Sequence, residues 1–263
     1  MHPQWRRICA EFMLATSYSP GELQEAQKRR SYDRANRPET YLVFPDAVCR
    51  VELGPPVFPE CPDLWSVLGA RRSKRNFLPE PLTLQELNLL LWGSQGVTAD
   101  MGDYQLRTAP SAGALYPVET YLVVNRVEGM EPGLYHLDVK GWALEGLELG
   151  DLSGAATKAL LGQEMARTAA VNFLWTAVLE RTRAKYHERA YRYVWWDAGH
   201  ISENLNLVAT ALGLGVCCVG AWHDDLVHEL TGIDGVEHVS AMAACVGRVA
   251  GHDWREDRRP PAR

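Results

Sequence analysis

No C-x-x-C pair occurs in the 263 residues, and the six cysteines (Cys9, Cys49, Cys61, Cys217, Cys218, Cys245) follow no regular spacing. That excludes a structural zinc site and a disulfide framework as organising elements, and it reads as reduced thiols in a cytoplasmic protein. Positive charge is in deficit, with 27 Lys and Arg against 33 Asp and Glu and a net charge of −6. General nucleic-acid affinity is therefore not expected, because phosphate binding needs a basic surface, and any anion site must be local. There is no G-x-G-x-x-G, no Walker motif and no internal repeat, so a doubly wound dinucleotide fold and a P-loop are not indicated. His187, His200, His223 and His228 lack metal-ligand spacing, and no metal is expected. No long apolar run survives inspection either. Leu205 to Trp222 is divided by Asn206, Thr210 and three glycines, and Glu11 interrupts the apolar patch near the start, so neither a membrane span nor a signal peptide is expected.

What is present is core-forming material: 46% hydrophobic residues with nine Trp and ten Tyr, enough for one large core with an appended arm. Residues 1–63 read as that arm, with a short helix from Glu22 to Arg30, a solvated basic cluster (Lys28, Arg29, Arg30, Arg34, Arg37) and a Pro-rich run from Val51 to Pro62. Residues 64–250 read as the main domain and 251–263 as a polar tail. A helix boundary is expected at Leu64 to Gly69. Thr83 and Glu86 make a capping box, and Leu84, Leu87, Leu90 and Leu91 recur at helical spacing until Gly93 and Gly96. Thr120 to Val124 reads as a buried strand, and Gly133–Val139 with Trp142–Leu149 as a hairpin turned by Lys140-Gly141. A helix near Ala155–Leu161 and a strand over Ala169–Leu179 follow. A long helix starts at Trp196, its apolar seam running through Ala198, Ile201, Leu205, Val208 and Leu212 as central core or subunit interface. Val216 to Gly220 reads as a short strand, Asp224 as the cap of a last helix and Ser240–Val249 as the final strand. The irregular alternation predicts an α+β fold with an antiparallel or mixed central sheet flanked by helices.

Three stretches carry chemistry. Arg107 to Asn125 begins with the small residues Pro110, Ser111, Ala112, Gly113 and Ala114, whose backbone can closely approach a flat ligand; an ordinary loop before a strand is the plainer reading. Arg71 to Phe77 gathers three arginines and a lysine around Ser73, a donor set suited to a phosphate monoester or else a surface basic patch. Arg181 to Tyr193 packs basic and aromatic residues too densely for an expected core element.

Taken together, R-R-S-K-R, L-L-L-W-G-S-Q-G, P-S-A-G-A-L-Y-P-V-E, R-x-x-x-K-Y-x-x-R-x-Y-R-Y and A-L-G-L-G-V-C-C-V-G resemble the FMN-dependent nitroreductase superfamily. Within it they look most like the SagB-type dehydrogenases, which oxidise azolines to azoles in ribosomally made peptides. The resemblance implies a mostly antiparallel sheet flanked by helices, an intertwined homodimer and FMN between the subunits. It places Arg71, Ser73 and Arg75, with Arg72 nearby, at the phosphate and ribityl chain, and Pro110, Ser111, Ala112 and Gly113 at the partner's flavin. Cys218, Val219, Gly220 and Ala221 fall at the isoalloxazine edge, and Arg248 at the phosphate. Gly220 stands where many nitroreductases carry a glutamate used near the nicotinamide. Lys185 and Tyr186 occupy the positions of a base and a proton relay, with Arg181, Arg183 and Arg189 expected to depress the lysine pKa. The expected substrate is a peptide or small molecule, with a possible cyclodehydratase partner. Two other functions follow from the same resemblance, an NAD(P)H-dependent nitroaromatic or quinone reductase and a flavin-bound scaffold without its own chemistry.

Overall fold

Two runs, Val118–Val124 (β4) and Val171–Val178 (β7), are apolar almost throughout instead of alternating, the pattern of strands covered on both faces. A computed structural model, which describes residues 3–18 and 38–251, places them side by side at the centre of a seven-stranded antiparallel sheet. The order is β1 (Cys49–Glu52), β6 (Ala143–Leu149), β5 (Gly133–Asp138), β4, β7, β9 (His238–Gly247) and β8 (Gly215–Val219). One face carries Leu122, Phe173 and Trp175 against the helices α3 (Leu84–Gln95) and α7 (Ala190–Ala211). The other carries Tyr121, Val123 and Leu174 against α4 (Ser153–Ala159) and α5 (Glu164–Thr168).

The capping box forms as expected, Thr83 Oγ1 accepting from the Glu86 amide while the Glu86 carboxylate accepts from the Thr83 amide. Gly93 does not end α3; it lies inside the helix, where a Cβ would collide with Val208 of α7, and Gly96 caps instead. The small residue lets the two helices approach. The seam of α7 is thus intramolecular core, with Ala198, Ile201 and Leu205 buried and Val208 and Leu212 packed against them.

Several expectations need correction. The Arg181–Tyr193 stretch is helical: α6 (Leu179–Tyr186) runs into a short 3₁₀ turn (His187–Arg189) and then α7, which begins at Ala190 and not at Trp196. Its charge density is tolerated because Arg181, the buried member, is neutralised by Glu119. His187, at φ 51° and ψ −135°, breaks the two helices apart. Asp224 is the first residue of α8 (Asp224–Thr231), not its cap, and its carboxylate accepts from Trp222 and Ser240. Residues 49–53 of the expected arm join the main sheet, β1 pairing with β6 and the Leu53 carbonyl accepting from Asn88. Near the start lie α1 (Pro3–Ala15) and, after α2 (Leu64–Ala70) and α3, a small hairpin of β2 (Val97–Asp100) and β3 (Gln105–Arg107). The expected helix Glu22–Arg30, the basic cluster 28–37 and residues 252–263 of the tail lie outside the described residues.

Candidate active site

The turn that precedes β4 is unusually bent. Gly113, Ala114 and Tyr116 take φ values of 67°, 53° and 45°, and only glycine adopts the left-handed region without penalty. Asp197 on α7 holds the turn in place. Its Oδ2 accepts from Ser111 Oγ at 2.5 Å and its Oδ1 from the Ala112 amide at 3.4 Å, while Ser111 Oγ accepts from the Tyr116 amide at 3.0 Å. Burial raises the Asp197 pKa to about 6, and the hydrogen bonds from Ser111 and Ala112 only partly oppose the rise.

Lys185 and Tyr186 meet this turn at Gly113. A Cβ added there would lie 2.7 Å from both Lys185 Nζ and Tyr186 Oη, so the two polar tips converge where the backbone carries no side chain. The Tyr186 ring stands edge-on to Tyr193, 4.8 Å between centroids, which fixes its direction. Pro110, Ser111, Gly113 and Lys185 line a cavity of about 830 Å³, large enough for a cofactor ring with part of a substrate. The three arginines expected to act on Lys185 each have a hydrogen-bond partner of their own. Arg181 pairs with Glu119, Arg183 with Glu237, and Arg189 donates to the Thr16 carbonyl.

Arg71 to Phe77 runs along the edge of β8. The Lys74 amide donates to the Val216 carbonyl at 2.9 Å, and Ser73 bridges to Val216. Gly215 makes this close approach possible, since a Cβ there would press on Lys74, Phe77 and Val249. The basic motif therefore lies beside the strand that ends in Cys218 and Val219 and opens at the exposed Gly220 and Ala221. Among the described residues, Arg72 and Arg75 have no carboxylate within ion-pair distance, and Arg71 has only Glu203 of α7 at 4.0 Å. Glu203 and Asp197 sit six residues apart on α7, about 9 Å along its axis. One helix thus touches both the basic segment and the small-residue turn. Arg248 is used differently: its guanidinium grips Glu86 at 2.7 and 3.0 Å and donates to the Pro81 carbonyl, tying β9 to the start of α3.

Sequence reasoning missed a buried ionic chain behind the site. Glu119, in β4, accepts from Arg181 Nη1 and pairs with His136 Nε2 at 3.1 Å, and His136 Nδ1 pairs with Glu145 at 3.0 Å. Burial alone would raise the Glu119 pKa, but the charges of Arg181 and His136 overcome it and hold the pKa at about 2. Burial likewise opposes a charged His136, yet its bonds to Glu119 and Glu145 push its pKa up. Arg181 also donates to the Tyr116 carbonyl, so the chain bolts α6, which bears Lys185 and Tyr186, to the end of the turn. Glu119 inside an apolar strand was the available signal, since a buried carboxylate demands a partner.

The nitroreductase family profile matches residues 68–248, more than half of the chain. The chain belongs to the nitroreductase family. That places it among oxidoreductases, a family whose members commonly bind flavin. A protein of Methanocaldococcus jannaschii with a nitroreductase name is 37% identical over 167 residues, 64% of this chain and 83% of that one. The trifolitoxin-processing protein TfxB of Rhizobium leguminosarum bv. trifolii is 31% identical over 179 residues, 64% of this chain but only 48% of TfxB, so this chain matches about half of that relative's length. A similar fold occurs in the Escherichia coli microcin synthetase McbBCD complex with truncated pro-MccB17 bound. There the TM-score is 0.59 at 21% identity, covering 95% of this chain and 94% of the other.

Proposed function

We propose that this protein is an FMN-dependent dehydrogenase that oxidises thiazoline or oxazoline rings in a peptide to thiazole or oxazole. The observation that carries the reading is the convergence of Lys185 Nζ and Tyr186 Oη on Gly113 at the wall of the cavity. A base and a relay at one point suit the removal of an acidic ring C–H proton. The likeness to TfxB and to the peptide-bound microcin synthetase supports a peptide substrate and a cyclodehydratase partner.

The residues present fit FMN. Arg71, Arg72 and Arg75 offer local cationic donors for its phosphate, and Ser73 a hydroxyl, in a chain that is acidic overall. The backbone of Cys218, Val219, Gly220 and Ala221 lies two to five residues beyond Val216, which bridges to Ser73, with open space at Gly220. Arg248 joins the phosphate donors only by releasing Glu86. When bound, FMN supplies the two-electron acceptor, with oxygen as the final oxidant. Lys185 Nζ, as the neutral amine, takes the proton from the ring carbon, and Tyr186 Oη passes it toward solvent. The ring loses two hydrogens in all. Pro110, Ser111 and Gly113 form the wall of the cavity beside which the ring would lie.

A homodimer accompanies this reading. Trp65 and Leu68 on α2 and Trp195 and Trp196 on α7 are exposed on neighbouring helices, an apolar surface suited to a second copy. Sedimentation at micromolar concentration is expected to give a dimer; a monomer that keeps its flavin contradicts this part. Gly220, lacking a glutamate, speaks against efficient NAD(P)H use. Mass spectrometry of a heterocyclised peptide tests the activity: a loss of two hydrogens is expected. Rapid anaerobic bleaching of the flavin by NAD(P)H, with no peptide oxidation, would favour the reductase instead.

A further inference from the structure

We propose that Arg107 forms an anion subsite on the wall of the cavity and receives a carboxylate of the substrate, either a peptide α-carboxylate or an Asp or Glu side chain. Arg107 closes β3 and is 7% exposed, yet it lines the same cavity as Lys185. Its Nη1 donates to Gln95 Oε1 at 3.0 Å, and its guanidinium lies 4.4 Å from the Tyr116 ring centroid and 5.4 Å from that of Tyr41. Its Nε is buried with no acceptor. Among the described residues no carboxylate stands within ion-pair distance of it.

A buried cation in that position is costly unless something anionic arrives. Burial lowers its pKa, and Glu119, the carboxylate that most offsets this, is already held by Arg181 and His136. The pairing nearby sharpens the point. Glu52, Glu119, Asp138 and Glu145 face Arg50, Arg181 and His136, and each of these carboxylates is already paired with a cation other than Arg107. The planar fork of a guanidinium matches a carboxylate, and Tyr104 and Thr108 add polar lining, with Asp103 the one carboxylate that lines the same cavity among the described residues. Contact with the Tyr116 and Tyr41 rings and the bond to Gln95 hold the guanidinium in place before the ligand enters.

The subsite rests on the reading of this cavity as the substrate chamber, but its test does not need the oxidation. Isothermal titration of the flavin-loaded protein with benzoate and with neutral benzamide comes first. Benzoate should bind at least 10-fold more tightly, and Arg107→Gln should abolish that preference while benzamide affinity stays the same. Acetyl-Gly-Gly-Phe and acetyl-Asp-Gly-Phe amide then separate the two sources, and Arg107-dependent binding of either supports the subsite and names the source. Arg107-independent binding of both overturns it, as does benzoate affinity that survives Arg107→Gln while the flavin spectrum changes. Should Arg107→Gln fail to fold, a benzoate-soaked crystal of the unaltered protein decides. A carboxylate within 4 Å of the guanidinium is expected, and one elsewhere in the cavity overturns the assignment. Peptide oxidation that fails while benzoate still requires Arg107 removes the dehydrogenase reading and leaves the subsite.

Discussion

Ser111 and Asp197, 86 residues apart in the chain, are joined by a 2.5 Å hydrogen bond that fastens the small-residue turn to the long helix α7. The carboxylate is buried enough to carry a pKa of about 6, against an ordinary value of 3.8. A carboxyl raised in the folded state favours folding most when protonated, below the unfolded pKa, and that contribution is lost as pH rises through about 6. Replacing it with a neutral isostere should therefore matter in one direction. The stability of Asp197→Asn relative to the unaltered protein is expected to improve by up to about 3 kcal/mol between pH 4 and pH 8. Urea denaturation of both proteins across that range checks it, and a difference that shrinks with pH refutes the assignment.

Gly113→Ala should separate folding from chemistry. A left-handed φ of 67° costs an alanine on the order of 1 kcal/mol, and the new Cβ must push aside Lys185 Nζ and Tyr186 Oη. A modest drop in melting temperature with a fall of roughly tenfold or more in turnover is expected, since small misplacements of catalytic groups are costly. Full activity in a stably folded variant would show that the convergence at Gly113 is incidental.

Lys185→Ala should keep its flavin while azoline oxidation falls by roughly 10²- to 10⁴-fold, the usual contribution of a positioned base. Tyr186→Phe should lose less, because water can partly replace a relay. Single-turnover flavin reduction by a heterocyclised peptide measures both, and an unchanged rate in Lys185→Ala removes the pair from the mechanism.

Arg71→Ala combined with Arg75→Ala should weaken flavin binding by on the order of 3 to 6 kcal/mol, the worth of two charge-assisted contacts. Absorbance after dialysis reads the occupancy. Full retention would relocate the phosphate.

Much of the architecture was legible because its determinants are local. The Thr83–Glu86 box, the leucines that follow it and the Lys140-Gly141 turn all act within a few residues, and each appears in the structure. The apolar runs of β4 and β7 likewise announce strands covered on both faces. What escaped is long-range. Cys49–Glu52 is a strand only because β6, nearly a hundred residues later, offers it an edge. Arg181 reads as surface charge until Glu119, 62 residues earlier, is placed beside it. The same holds for the site: the three motifs are visible as compositions, but nothing nearby in sequence marks Asp197 as the residue that holds the turn.

The position of β9 bears on how the chain is made. It is the last strand among the described residues, yet it lies inside the sheet between β7 and β8. Strand β8, made earlier, has β9 as its sheet partner and otherwise only the bridge to Ser73. During synthesis β8 must therefore wait for its sheet partner until residues 238–247 leave the ribosome, with only the bridge to the earlier segment 71–77 open to it. The edge made by segment 71–77 and β8 is therefore fixed to the sheet only once β9 has emerged, late in the synthesis of the domain.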